Sequence, residues 1–208
     1  MKKSKVIALL IVAAVLISPT FATGEVSTPA QPILKEVVVP LSLEDAWDQW
    51  TLPAGLQGFF AREAIVEPRV LGEYSIHFFP EGEPGQRGAE DMRILAFEPG
   101  DRLTFTWNAP PHLPLARAQM AVVEITFDAV SETRTRVTLR HDHFGRNADA
   151  KLARAYFNAA WPVVLARSVY AAINGPIDWD NPPPDLMLGS LSREQLAEMA
   201  AQQHAQAD

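Results

Sequence analysis

Five histidines and no cysteine limit the chemistry this 208-residue chain can do. The tightest grouping is His141-Asp142-His143, two imidazoles at i and i+2, which an extended backbone places on one face of a strand end. Such a pair can share a metal ion, and a third histidine from another strand, such as His77 or His112, would complete a three-histidine zinc site. No third ligand stands close to the pair in sequence. The expectation is therefore no metal at this pair, and no other cofactor. Acid-base chemistry needs a carboxylate or histidine facing a cavity, and Glu124 and Asp128 are the carboxylates to consider. They alternate with Val123, Ile125 and Phe127, which turns them to the wet side of their strand. A thiolate nucleophile is excluded, and no G-x-S-x-G elbow, phosphate-cradling glycine loop or H-E-x-x-H is present. The stretch 81–88 is rich in glycine but lacks the strand-then-helix context a phosphate loop requires. What remains is aromatic: Tyr74, Phe78, Phe105, Trp107, Tyr156, Phe157 and Trp161, rings that either fill a core or line an apolar cavity.

The element that must position these rings is a helix over 149–173. Its large apolar residues, from Leu152 and Tyr156 through Trp161 and Leu165 to Ile173, recur in steps of three and four along one stripe. Asn174, Gly175 and Pro176 mark its stop. Pro162 removes a backbone donor midway, which predicts either a kink over 158–161 or two helices meeting there.

Ahead of that helix the pattern is mainly alternating. Residues 33–40 read as a first strand; Ser42 then caps a helix whose face carries Ala46, Trp47 and Trp50, and a second short helix covers 56–60. Six strands follow, over 64–69, 72–79, 91–97, 103–107, 120–127 and 135–144, with a hairpin or longer turn over 80–88 and a proline-rich loop over 108–116. The fold class is α+β: one curved seven-stranded antiparallel sheet wrapped around the long C-terminal helix, with two short helices after the first strand. A sheet that curls onto one helix leaves room for a cavity beside it, and the loop around His112 is placed at its mouth. Beyond the helix, 178–184 is an acidic, proline-rich linker, and Ser192 with Gln195 forms a capping box that starts a short helix over 192–203.

The N-terminus predicts export. Lys2, Lys3 and Lys5 precede twelve apolar residues over 6–17 and a small-residue exit at Ala22, the order of a secretory signal peptide too short to span a bilayer as a helix. Cleavage after Ala22 gives a signal peptide over 1–22, a flexible leader over 23–32, and a periplasmic or secreted protein with no stable membrane anchoring. It also removes three lysines and no acid, taking the formal charge from -7 to -10, a surface that repels phosphate backbones, so no nucleic-acid partner is expected.

Four sequence words carry a resemblance. They are Glu67-Pro68-Arg69-Val70-x-Gly72; Phe97-Glu98-Pro99-Gly100-Asp101-Arg102-Leu103-x-Phe105-Thr106-Trp107; Thr135-Arg136-Val137-Thr138-Leu139-x-His141; and Tyr156-Phe157-x-x-Ala160-Trp161-x-x-Val164-Leu165. In this order they resemble the helix-grip fold of the SRPBCC (START-like) superfamily, and within it the bacterial group named for the activator of the heat-shock-protein ATPase. The resemblance covers about 33–174 and implies a helix-grip domain over 33–175, followed by a tail over 176–208. At His141, which matches the group's strand-end histidine, it implies a hydrogen-bonded core or pocket-rim role. The four words are not specific for an activity; the leading reading is an exported, monomeric, non-enzymatic binder of a small apolar or aromatic ligand held between the sheet and the long helix, with Tyr74, Ile76, Trp107, His141, Tyr156 and Trp161 as cavity-wall candidates. Two other readings stay open: a cyclase- or hydrolase-like cavity enzyme with His77 or His141 as base, and a module that binds periplasmic client proteins through its outer sheet.

Overall fold

The computed structural model describes residues 31–205, so the expected signal peptide and nearly all of the leader lie outside the described residues. The chain opens with β1 (Ile33–Val39), paired along its whole length with β8 (Arg134–Asp142). Helices α1 (Leu43–Thr51) and α2 (Pro53–Phe59) follow. Ser42 caps α1 as its residue type predicts, its hydroxyl accepting from the Asp45 amide at 3.1 Å, with Glu44 and Asp45 in the positively polarised first turn.

The strands do not form one seven-stranded sheet. Five of them, β1, β8, β7 (Ala121–Ser131), β6 (Arg102–Trp107) and β5 (Ile94–Glu98), form an antiparallel sheet in that order. A separate three-stranded sheet holds β2 (Glu63–Val66), β3 (Tyr74–His77) and β4 (Gly88–Ala89). The division has a local cause. Asp91 takes a left-handed backbone (φ 62°), the ladder between β5 and β6 shifts register between Ile94 and Ala96, and among the described residues the two sheets are linked by the isolated bridge of Glu73 to Arg93 rather than by a continuous ladder, with the Leu71 amide donating to the Ile94 carbonyl beside it. Strand β4, absent from the sequence expectation, forms where Gly88 lets the backbone run against β3: a Cβ there would stand 2.3 Å from the Ile76 carbonyl oxygen. Gly72, in the first of the four words, is held as tightly, with a would-be Cβ 2.2 Å from the Glu67 carbonyl oxygen.

The clean alternation of Leu103, Phe105 and Trp107 on β6 is realised, all three being buried while Arg102, Thr104 and Thr106 are half-buried. Strand β3 departs from alternation: Tyr74, Ser75, Ile76 and His77 are all buried, because both of its faces are covered. After α3 (Pro114–Arg117) and the β7–β8 hairpin comes α4 (Ala150–Asn174), a single unbroken helix. Pro162 lies inside it and does not divide it. Its ring is exposed, and Asn158, whose carbonyl loses its donor, is only half-buried, so the loss falls on the wetter side of the helix. At about 1.5 Å per residue, α4 is roughly 37 Å long and crosses the domain.

The segment beyond α4 packs back onto the domain. Ile177 donates its amide to the Gly58 carbonyl at 2.8 Å, and the Trp179 indole donates to the Gln57 carbonyl at 2.6 Å. A turn of 3-10 helix (Pro184–Leu186) leads to α5 (Arg193–Ala205), which lies along α4. Ser192 and Gln195 make the reciprocal capping pair, the Ser192 amide donating to Gln195 Oε1 at 2.8 Å and the Gln195 amide donating to the Ser192 hydroxyl at 3.2 Å. No helix among the described residues is long and apolar enough to cross a membrane.

Candidate functional site

Sequence and packing converge on one end of the layers, where α4 passes the ends of β3 and β6. Phe60, delivered by the end of α2, stands 5.7 Å from Trp107 and 6.0 Å from Trp161, and Trp107 lies 5.8 Å from Trp161 (ring centroids). Trp161 in turn stacks on Phe157 at 6.0 Å. Rings of this size each remove roughly 150–250 Å² from water, and here they leave a cavity of about 500 Å³ along one face. Its wall comes from Phe60, Trp107, the 108–112 loop, one stripe of α4, and, from beyond α4, Trp179 and 187–191. Phe79, 69% exposed, and His112 sit at its edge.

Of the six wall candidates, Trp107, Tyr156 and Trp161 line this cavity. Tyr74, Ile76 and His141 do not, and each is accounted for elsewhere. The Tyr74 hydroxyl donates to the Trp50 carbonyl at 2.9 Å and its ring lies 4.3 Å from Phe105; burial pushes its phenol well above the usual range. Ile76 is fully buried in β3, opposite Ala64 and Ala89. His141 sits beneath the cavity floor, with no exposed surface, its ring 4.3 Å from Phe144 and 4.6 Å from Phe157.

The tautomer of His141 follows from its partner. The Trp161 indole is donor-only and gives its N–H to His141 Nδ1 at 2.9 Å, so the imidazole proton resides on Nε2. Nε2 has no partner among the described residues. Burial among rings lowers the His141 pKa to about 3, which keeps the ring neutral. The i, i+2 pairing with His143 does not form, because His143 takes a left-handed turn (φ 64°) just past the end of β8 and is exposed. His77 lies away from the cavity, its Nδ1 3.2 Å from Glu63 Oε2. Glu124 is half-buried, 3.7 Å from Arg102, and Asp128 is exposed. Among the described residues, no three His, Asp or Glu side chains converge as metal ligands.

Three arginines on the wall, Arg62, Arg117 and Arg167, were not among the candidates. Arg167 carried a signal. Tyr156, Ala160, Val163 and Arg167 are spaced by four, three and four, so a cation completes a stripe that is otherwise apolar or aromatic. Arg62 and Arg117 carried none, since loop and short-helix positions have no period to read.

The sequence model of the family described as "Activator of Hsp90 ATPase homolog 1-like protein" matches residues 40–171. No curated protein matches the chain. Among solved structures, MLL2253 from Mesorhizobium loti is 21% identical, with a TM-score of 0.54 over 67% of this chain and 95% of its own. CalU16 from Micromonospora echinospora is 18% identical, with a TM-score of 0.55 over 84% and 86%. The Aha1 dimer from Colwellia psychrerythraea is 18% identical, with a TM-score of 0.52 over 69% and 97%. Likeness at these identities shows the shared α+β fold. The cavity wall contributed by Trp179 and 187–191 lies past the end of the family match.

Proposed function

We propose, from the premise that the chain belongs to the Activator of Hsp90 ATPase homolog 1-like family, that it is a binder of a small apolar or aromatic molecule, held beside α4, and that it works outside the cytoplasm. The observation that carries the binding reading is the cavity of about 500 Å³ walled by Phe60, Trp107, Phe157 and Trp161. That volume falls in the range of small-molecule sites, roughly 300–1,000 Å³. An open cavity favours a ligand over a protein-interaction module, which would be better served by a filled interior. Neither His77 nor His141 lines the cavity, so binding is favoured over acid-base turnover by either.

Filling the cavity tests this. Ala160, on the wall and half-buried, can be replaced by a larger ring. The full chain is expected to take up the neutral apolar dye Nile red one to one, with its fluorescence shifted to the blue. Ala160→Trp is expected to weaken uptake about tenfold or more, a loss of roughly 1.4 kcal/mol, at an unchanged melting temperature. No uptake by the unmodified protein, or uptake indifferent to Ala160→Trp, overturns the reading.

Export is supported by the order of Lys2, Lys3 and Lys5, the apolar run over 6–17 and Ala22. Expressed from its own start in a Gram-negative host, the protein is expected in the periplasmic fraction with Thr23 as its N-terminal residue. Intact mass matching the full chain in the cytoplasmic fraction defeats that proposal.

A further inference from the structure

The cavity wall has a charge that its apolar lining does not explain. Arg62, Arg117 and Arg167 all reach it, and among the described residues no aspartate or glutamate does, in a chain with 25 acidic against 18 basic residues. Two of the three are already matched. Arg62 pairs with Asp180 at 2.8 Å. Arg117 stands 3.6 Å from Glu90 and donates to the carbonyls of Ala109, Gly85 and Gly88.

Arg167 is the exception. It is 7% exposed, its Nε donates to the Leu186 carbonyl at 2.6 Å, its Nη2 points to the Met187 sulfur at 3.4 Å, and the guanidinium lies 5.3 Å from the centre of the Trp179 ring. None of these neighbours is an anion, and Nη1 has no hydrogen-bond partner among the described residues. Withdrawing a cation from water is costly unless an opposite charge meets it, and a planar guanidinium is suited to a two-oxygen acceptor. Contacts to Leu186, Met187 and Trp179, the last two themselves on the cavity wall, hold the group in place, so it presents a fixed fork rather than a mobile charge.

We infer that the molecule held in the cavity is an apolar or aromatic carboxylate, its head group paired with Arg167 and its body laid against Trp107, Phe157 and Trp161. This rests on the cavity-binding reading and adds the charge of the ligand to it. The geometry of α4 sets the scale: Trp161 and Arg167 are six residues apart, roughly 9 Å along the axis at about 1.5 Å per residue, which suits one or two fused rings or a medium-length chain between head and tail.

The test compares two probes of one shape, 2-naphthaleneacetate and 2-naphthaleneethanol, by calorimetric titration into the full chain. The carboxylate is expected to bind about tenfold or more tightly than the alcohol, as one charged hydrogen-bonded pair provides. Arg167→Met, which keeps apolar bulk beside Trp179 without the charge, is expected to bring the ratio near one while Nile red still enters. Arg167→Lys, which keeps the charge without the fork, is expected to lower the ratio without abolishing it, and decides the matter alone should Arg167→Met melt early. Equal binding of the two probes by the unmodified protein, or a ratio unmoved by the available variant, overturns the inference. If Nile red enters but the ratio is one, the cavity reading stands and this one falls; if neither probe nor dye binds, both fall.

Discussion

Between pH 7 and 5 the protein is expected to lose stability, and His141→Asn is expected to remove a distinct share of that loss. Folded, His141 titrates at about 3; unfolded, near the ordinary 6.5. The unfolded chain therefore takes up the proton first, so the contribution of His141 is intact above about pH 6.5 and declines as pH falls toward about 3. The slope for one such group is about 1.4 kcal/mol per pH unit, or roughly 2 kcal/mol by pH 5. Asparagine is the informative replacement, because its Oδ1 can accept the Trp161 indole hydrogen bond in place of Nδ1 yet does not titrate. At pH 7 the variant is expected to be less stable, since a smaller side chain leaves space between Phe144 and Phe157. At pH 5 the gap narrows, because only the original protein carries the histidine term. Urea unfolding of both proteins at pH 7, 6 and 5 measures the difference, and the other histidines cancel in the comparison. Parallel profiles, or a His141 imidazole resonance that moves between pH 7 and 5, would sink the assignment.

The same histidine shows where sequence reading reaches its limit. Period and punctuation are local, and what they governed came out: the long helix before Gly175, the Ser42 cap, the alternation on β6, the Ser192 and Gln195 capping pair. Parity could place His141 on the inner face of β8, as its burial confirms, but not decide whether that face meets a void or a ring. The answer lay twenty residues on, in the indole of Trp161. Tyr74 and Ile76 were misplaced for a related reason: they share a face with Phe78, which does reach the cavity, but β3 has a cover on both sides and its centre is sealed. The separation of the two sheets turns on the left-handed Asp91 and a register shift after Ile94, neither of which leaves a mark in an apolar/polar pattern. The segment over 178–184 reads as a solvated linker by composition; its docking depends on Trp179 meeting a carbonyl on α2, a long-range contact with no local signature.

That docking makes Leu196→Ala the other large effect. Leu196 is 0% exposed, although it belongs to a thirteen-residue helix that is otherwise mostly polar on its outer side. A helix of that length is marginal alone in water, so α5 must draw its stability from what it covers on α4. Its start is fixed as well: Arg193 donates to Asp149 Oδ1 at 2.7 Å, Asp149 Oδ2 accepts the Leu115 amide at 3.0 Å, and the Arg193 hydrogen bond holds the Asp149 carboxyl below the usual range. If α5 is a structural part of the domain, truncating Leu196 costs what a core leucine costs, about 2–5 kcal/mol in a single cooperative unfolding transition. If instead α5 melts separately, Leu196→Ala leaves the main transition where it was and adds an early one, and the cavity loses the wall formed by 187–191 while the sheet stays folded. Thermal unfolding followed at once by far-ultraviolet circular dichroism and by tryptophan fluorescence separates the two cases. A shared, lowered midpoint is the expected result, and it would mean that the wall past the end of the family match is as firmly built as the sheet it closes.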